Sequence, residues 1–198
     1  MIKAIIFDIG DVVCLGRENY HNIVQKKLKL SDEEWKKLNR ISFRNKWGKG
    51  KKTEEGLDIV AKHLGITKSN LKKIYLASLK ENFKLNSKLL VIAKKLRKNY
   101  KTVILSNQWL LSYKALINKK ILKNFEVHVF SHLVGTKKPE KKIYLLALKK
   151  LKLKPEECIF IDDQKHCLAP ARKLGMKTIQ FRNNNQLVRN LRKLKIKI

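Results

Sequence analysis

Carboxylates that could do chemistry stand in two places in the chain. Asp8 and Asp11 lie three residues apart in "FDIGDVV" (residues 7–13), with Gly10 between them, and Asp162 and Asp163 are adjacent in "CIFIDD" (158–163). The adjacent pair is the more telling, because neighbouring carboxylates repel each other and stay ionised cheaply only beside a cation. Asp8 ends a buried strand ahead of a sharp turn, a place that suits a reactive group and equally a carboxylate that caps the turn. "LSN" (105–107) can likewise cap a helix, and Lys138, inside "GTKKPEKK", is one lysine among many. Each of these residues is ambiguous taken alone.

Short apolar, β-branched runs precede most of them. "KAIIFDI" (3–9), "KTVILSN" (101–107), "EVHVF" (126–130), "CIFIDD" (158–163) and "KTIQF" (177–181) read as strands, with helical periodicity between the later ones. Continuous apolar strands alternating with helices predict an α/β fold, a Rossmann-like parallel sheet covered on both faces. The Asp, Ser/Asn and Asp/Asp groups then fall at the carboxyl ends of strands, where open sheets of this kind bind ligands.

Residues 17–85 break the alternation with successive helix signals and no convincing strand. Ser31 and Glu34 form a capping box ahead of "DEEWKKLNRISF". Thr53 can cap a helix that stops at Gly65, and Leu71, Ile74, Tyr75, Leu79 and Phe83 have the spacing of one buried face. Asn86 starts the helix that leads back to the sheet. The predicted organisation is an α/β core of residues 1–16 and 86–198, with a small all-helical cap inserted at 17–85. Pro170 is tolerated in a first helical turn, which predicts a helix beginning near Leu168.

At 198 residues the chain can bury a full core without staples. Cys14, Cys158 and Cys167 are an odd, widely spaced set with neither CxxC nor Cys/His spacing, which argues against a disulfide framework or zinc and fits a reducing cytoplasm. The apolar run before Asp8 is too short for a signal peptide or a membrane span. Lys and Arg number 47 against 16 Asp and Glu, a formal charge of +31. Such a field attracts polyanions and small phosphorylated molecules. The lysines are dispersed over nearly every helical segment, as a solvated face would be, without the interleaved aromatics of single-strand binders. Nucleic acid is therefore a possible but disfavoured partner, and the oligomeric state is open.

In their order, "FDIGDVV", "ILSN", "SHLVGTKKPEKKIY" and "FIDDQKHCLAPARKLGMKTIQF" resemble the four motifs of the haloacid dehalogenase (HAD) superfamily of hydrolases, and the helical insertion sits where that family places a cap. The resemblance implies a magnesium-dependent phosphatase acting on a small phosphorylated metabolite, a sugar phosphate or a nucleotide. It implies Asp8 as the nucleophile that forms an aspartyl phosphate, Ser106 and the Asn107 backbone as phosphate holders, and Lys138 as the charge-offsetting cation, with Lys137 the lesser candidate. Mg2+ would be held by Asp8, the carbonyl of Gly10, Asp162 and Asp163. Phosphoryl transfer needs these parts: a nucleophile, charge neutralisation and a proton for the leaving alcohol.

The proton is where the chain departs from the family. Most of these phosphatases carry a second Asp two residues after the nucleophile as general acid; here that residue is Gly10. General acid catalysis contributes about 10²- to 10⁴-fold, about 3 to 5 kcal/mol of barrier. A branch resembling "FDxGxV", glucose-1-phosphate phosphatase-like, carries the same glycine. Asp11 reads as a turn or cap carboxylate, with a general-acid role as the alternative. Cys167 stands where relatives often have Asn, and His166 reads as a surface histidine that could donate a proton if it faced the site. Trp47, with Arg44, Lys46 and Lys49, could contact substrate from the cap or simply belong to its core and surface. Two rival functions follow: a weak or inactive relative that binds phosphate or nucleic acid, and a haloacid dehalogenase, which needs no metal.

Overall fold

The computed structural model of the chain describes residues 1–43 and 52–198, so Trp47, Arg44, Lys46 and Lys49 lie outside the described residues. Strand β1 (Ala4–Phe7) is followed by the two-residue β2 (Cys14–Leu15), helices α1 (Arg17–Lys27), α2 (Asp32–Phe43), α3 (Lys52–His63) and α4 (Lys68–Asn82), and the two-residue β3 (Lys84–Leu85). Then come α5 (Ser87–Leu96), β4 (Lys101–Ser106), α6 (Leu110–Leu116), α7 (Lys119–Leu122), β5 (Val127–Phe130), α8 (Ser131–Val134) and α9 (Lys141–Leu151). A turn of 3-10 helix leads to β6 (Cys158–Asp162), α10 (Lys165–Lys173), β7 (Lys177–Gln180) and α11 (Asn184–Lys193).

Five strands form one parallel sheet in the order β5-β4-β1-β6-β7, the Rossmann-like arrangement expected. Their lack of polar alternation is explained by burial on both faces. Ile5 and Phe7 of β1, Ile104 of β4, and Ile159 and Ile161 of β6 pack on one side with Leu89 and Leu96 of α5 and Leu187 and Leu191 of α11. Ala4, Ile6, Val103, Leu105 and Phe160 face the other side, against Ile143, Tyr144 and Ala147 of α9 and Leu168 and Ala171 of α10. Each such aliphatic or aromatic side chain contributes about 1.5–3 kcal/mol on full burial, so both faces hold the central strands in place.

The helices between β2 and β3 have a core of their own, with Val24, Leu38, Leu57, Val60, Leu71, Tyr75 and Leu79 buried and Trp109, Leu111 and Leu116 packed against them from the segment after β4. The chain enters and leaves this unit side by side, because β2 and β3 pair antiparallel, Cys14 opposite Leu85 and Leu15 opposite Lys84. These strands are absent from the sequence reading, since two residues carry no periodicity. Gly16, at the entrance, has φ +114°, and a Cβ there would stand 2.6 Å from the Asn82 carbonyl oxygen, so only glycine fits.

The capping expectations hold at Ser31 and Asn86, and the structure adds a cap at Thr67. Ser31 and Glu34 make their reciprocal box, the Ser31 N–H donating to Glu34 Oε2 at 2.8 Å and the Glu34 N–H to Ser31 Oγ at 3.3 Å. The Thr67 hydroxyl accepts from the Asn70 N–H, and Asn86 Oδ1 from the Leu89 N–H. The helix preceding Gly65 begins at Lys52, one residue before Thr53. Helix α10 starts at Lys165 rather than near Leu168, which leaves Pro170 inside it. Pro170 brings no N–H for the carbonyl one turn back, but Tyr144 donates its hydroxyl to the neighbouring Cys167 carbonyl at 2.6 Å. Among the described residues no helix is long and apolar enough to cross a membrane.

Candidate active site

Parallel strands point their carboxyl ends to one edge of the sheet, and the register brings the chemistry-bearing residues level there. Phe7 pairs with Ile161 on one side and Ile104 on the other, so the next residue, Asp8, comes beside Asp162, and its N–H donates to the Ile161 carbonyl at 2.9 Å. Ser106 ends β4, the neighbouring strand. Lys138 arrives from the segment before α9. Asp8, Ser106, Lys138 and Asp162 are all at least 95 % buried.

The Lys138 ammonium lies between the two carboxylates. It donates to Asp162 Oδ2 at 2.6 Å and approaches Asp8 Oδ1 to 2.8 Å as an ion pair without hydrogen-bond alignment. Burial alone would favour the neutral amine, but Asp8 and Asp162 outweigh it and hold the Lys138 pKa above the usual lysine range. Burial and the Asp8 charge push the Asp162 carboxyl up to about 6, against the pull of Lys138 and of the Gln164 N–H, which donates to Asp162 Oδ1 at 2.8 Å. The backbone of Lys138 is itself fixed: its N–H donates to Asn107 Oδ1 at 2.8 Å and its carbonyl accepts from Asn107 Nδ2 at 2.9 Å. Asn107 thus ties the loop of Lys138 to the end of β4.

Asp8, Asp162 and Asp163 bring ligand oxygens within 4.8 Å of one another. Three carboxylates against one buried ammonium leave two negative charges in excess, and an all-oxygen donor set of this kind fits a hard divalent cation. Gly10 lines the same cleft. Its φ is not among the left-handed glycines of the described residues, so backbone conformation does not account for the missing side chain there.

Asp11 is turned to another task. It adopts φ +54°, and its Oδ1 accepts the Gly16 N–H at 2.8 Å ahead of α1, as a turn carboxylate does. His166 is exposed, as expected, and does not line the cleft. Cys167 does line it and is buried, and burial pushes its thiol up to about 12, which keeps it a neutral neighbour rather than a nucleophile.

The cleft above these groups has a volume of about 360 Å³. Residues that sequence reasoning passed over complete it. Gln108 donates to Ser106 Oγ at 3.3 Å, accepts from the Ser112 hydroxyl at 2.7 Å, and exchanges backbone hydrogen bonds with Ser131 Oγ at 3.0 and 3.1 Å, which fixes the turn that presents Ser106. Tyr20, His21 and Tyr75 line the opposite wall together with Trp109. Their helical spacing carries no signal beyond that of core residues.

Comparison with known proteins gives the family and the fold. The model of the haloacid dehalogenase-like hydrolase family matches residues 2–175. Among curated relatives, bifunctional epoxide hydrolase 2 of Rattus norvegicus is 42 % identical over 71 residues, 36 % of this chain and only 13 % of that enzyme. A glyceraldehyde 3-phosphate phosphatase of Pyrococcus furiosus is 41 % identical over 59 residues, 29 % of this chain and 25 % of that protein. Among solved structures, a predicted HAD-like family hydrolase from Porphyromonas gingivalis superposes over 100 % of both chains with a TM-score of 0.77 at 22 % identity. A HAD family enzyme of Bacteroides thetaiotaomicron, solved with magnesium and inorganic phosphate, covers 92 % of this chain and 95 % of its own at a TM-score of 0.72 and 21 % identity. With the sheet order, the four ordered motifs and a family model spanning most of its length, the chain belongs to the haloacid dehalogenase-like hydrolases.

Proposed function

We propose that the protein is a magnesium-dependent phosphatase that hydrolyses a small phosphorylated metabolite through an aspartyl phosphate on Asp8. The observation that carries the reading is the Asp8–Lys138–Asp162 arrangement with Asp163 beside it, a nucleophile and a cation buried beneath a cleft sized for a small molecule. The magnesium and phosphate held by the Bacteroides thetaiotaomicron enzyme and the activity named for the Pyrococcus furiosus relative support it.

Asp8 attacks phosphorus from the end of β1, the alcohol leaves on the opposite side, and water then cleaves the aspartyl phosphate, which releases phosphate and restores the Asp8 carboxylate. Ser106, held by Gln108, and the Asn107 backbone receive the phosphoryl oxygens, while Lys138 offsets their charge. Asp8, Asp162, Asp163 and the Gly10 carbonyl would hold the metal, which when bound offsets the negative charge between carboxylate and phosphate. Helices α1–α4 act as the cap that covers the cleft and excludes water from the transfer step. Gly10 supplies no proton, so esters whose leaving group needs none are the favoured substrates unless another group donates.

The three-carboxylate cluster favours this reading over dehalogenation, which uses no metal. The test is phosphate release from an aryl phosphate and from alkyl esters, with magnesium or with chelator. Release that requires both magnesium and Asp8, and vanishes in Asp8→Asn, is expected. Halide release from a haloacid in chelator would replace the assignment with dehalogenation. Salt-sensitive nucleic-acid binding with no ester cleaved would replace it with a binding protein.

A further inference from the structure

Lysine is spread over nearly every helix in the sequence, yet the fold gathers much of the positive charge onto one face. Residues 82–125 and 164–198 hold 21 of the 47 Lys and Arg and none of the 16 Asp and Glu. The two stretches meet through α5 and α11. Leu89, Leu90, Ala93 and Leu96 of α5 and Leu187 and Leu191 of α11 are buried on the same side of the central sheet. The helices run in the same direction and are tied at both ends. At their starts Asn86 and Asn184 exchange side-chain hydrogen bonds of 3.1 and 2.9 Å, and beyond their ends the Lys197 N–H donates to the Tyr100 hydroxyl at 3.1 Å.

The buried positions decide which residues face outward. On α5 the side opposite Leu89, Ala93 and Leu96 carries Lys88, Val91 and Lys95, with Lys98 one turn beyond, and on α11 the side opposite Leu187 and Leu191 carries Arg189 and Arg192, all of them exposed. In the helical insertion, by contrast, lysines have carboxylate partners: Lys27 pairs with Glu81, Lys68 with Asp58 and Lys72 with Glu54. Neither α5 nor α11 contains a carboxylate that could do the same. Arg97, which follows α5, is paired with Glu126 at 3.6 Å and is not counted among the outward cations.

Like charges set this close repel one another, and an extended anion laid across them removes the repulsion. Each of the two helices is about 15 Å long, and duplex nucleic acid carries one charge per about 1.7 Å of its axis. A duplex on this face therefore sets several phosphates against Lys88, Lys95, Arg189 and Arg192, and the planar guanidinium forks suit phosphate oxygens. Two other anionic surfaces fit less well. A helix that lies on a membrane buries a broad apolar face in lipid, whereas the apolar faces of α5 and α11 are buried against the sheet, and Val91 is the exposed large apolar residue on these two helices. Single strands are held by bases stacked on aromatic rings, and neither helix has an aromatic residue.

We propose that the α5–α11 face binds the backbone of duplex nucleic acid, without regard to its sequence. No residue of either helix lines the cleft, so this surface stands apart from the phosphatase reading and holds whether or not that reading does.

Fluorescence anisotropy with a labelled 20-base-pair DNA duplex tests the proposal on two triple variants that lose the same charge. One combines Lys95→Gln, Arg189→Gln and Arg192→Gln; the other combines Lys141→Gln, Lys142→Gln and Lys149→Gln, at exposed positions of α9 on the other side of the sheet. Four phosphate contacts give a log–log salt slope of about −4, so the parent protein is expected to lose about 10²-fold in affinity between 50 and 200 mM salt. The first triple should flatten that slope by about 3 and weaken binding at least about 10-fold in 50 mM salt, while the second changes the affinity by less than about 3-fold. The single variants Lys95→Gln, Arg189→Gln and Arg192→Gln, each expected to lower the slope by about 1, repeat the test with the least disturbance of the fold. Equal losses in the two triples would assign the binding to the charge of the whole molecule and overturn the proposal. So would an absence of duplex binding in 50 mM salt, or equal or tighter binding to phosphatidylserine vesicles that the first triple abolishes.

Discussion

Replacing Lys138 by Met keeps the length and apolar stem of the side chain, including its place beside the Phe160 ring, and removes only the charge. The ammonium is 3 % exposed as a residue and stands 2.6 Å from Asp162 and 2.8 Å from Asp8, both of them buried. Removing one partner of a buried ionic group costs about 3–5 kcal/mol, because the carboxylates left behind lose their counter-charge while staying out of water. A chain of this size shifts Tm by about 2–4 °C per kcal/mol, so Lys138→Met should melt about 6–20 °C below the parent protein in chelator. Asp162→Asn in the same background relieves the repulsion, and the double variant should be more stable than the sum of the single effects by about 1–3 kcal/mol. Differential scanning calorimetry of the four proteins measures both quantities. A Tm for Lys138→Met within about 2 °C of the parent, or strictly additive effects in the double variant, would refute the view that Lys138 is the counter-charge that makes this buried site possible.

Three further outcomes are expected. Asp11→Ala removes the turn-closing hydrogen bond to the Gly16 N–H and should cost about 1 kcal/mol in urea unfolding, with phosphate release from alkyl esters unchanged; a selective loss on alkyl esters would make Asp11 the acid after all. Gly16→Ala forces a Cβ toward the Asn82 carbonyl at a left-handed φ, and unfolding experiments should show at least about 1–3 kcal/mol of destabilisation. Gly10→Asp supplies the missing proton donor and should raise kcat on alkyl phosphates by about 10²-fold or more while leaving aryl phosphates nearly unchanged; equal effects on both would show that proton donation does not limit the reaction.

Much of this architecture could be read from the residues. The five parallel strands announce themselves because strands buried on both faces are continuous runs such as "AIIF" and "CIFI", and the caps at Ser31 and Asn86 are local chemistry carried within four residues. The meeting of Asp8, Ser106, Lys138 and Asp162 followed from their places at strand ends and in ordered motifs. What escaped depends on contacts distant in sequence. The β2–β3 pair joins residues about 70 positions apart, with two residues on each side. The start of α10 precedes its proline by five residues, and nothing in the local sequence signals the Tyr144 hydroxyl that donates to the Cys167 carbonyl there. Trp47, the aromatic that the sequence offers for substrate contact, lies outside the described residues, whereas Tyr20, Tyr75 and Trp109 form the described aromatic surface. Their spacing is that of any core-facing helix, and only the tertiary fold sets them opposite Asp8. Gln108, which steadies Ser106, has no pattern to mark it beyond its position after "LSN".

The central claim is that Asp8 carries the phosphoryl group. Acid-quenching the protein during turnover of a ³²P-labelled aryl phosphate with magnesium, followed by peptide mapping, tests it most directly. The account predicts hydroxylamine-labile label on the amino-terminal peptide containing Asp8, absent in Asp8→Asn and in chelator. Turnover with no labelled peptide, or label that persists in Asp8→Asn, would contradict it.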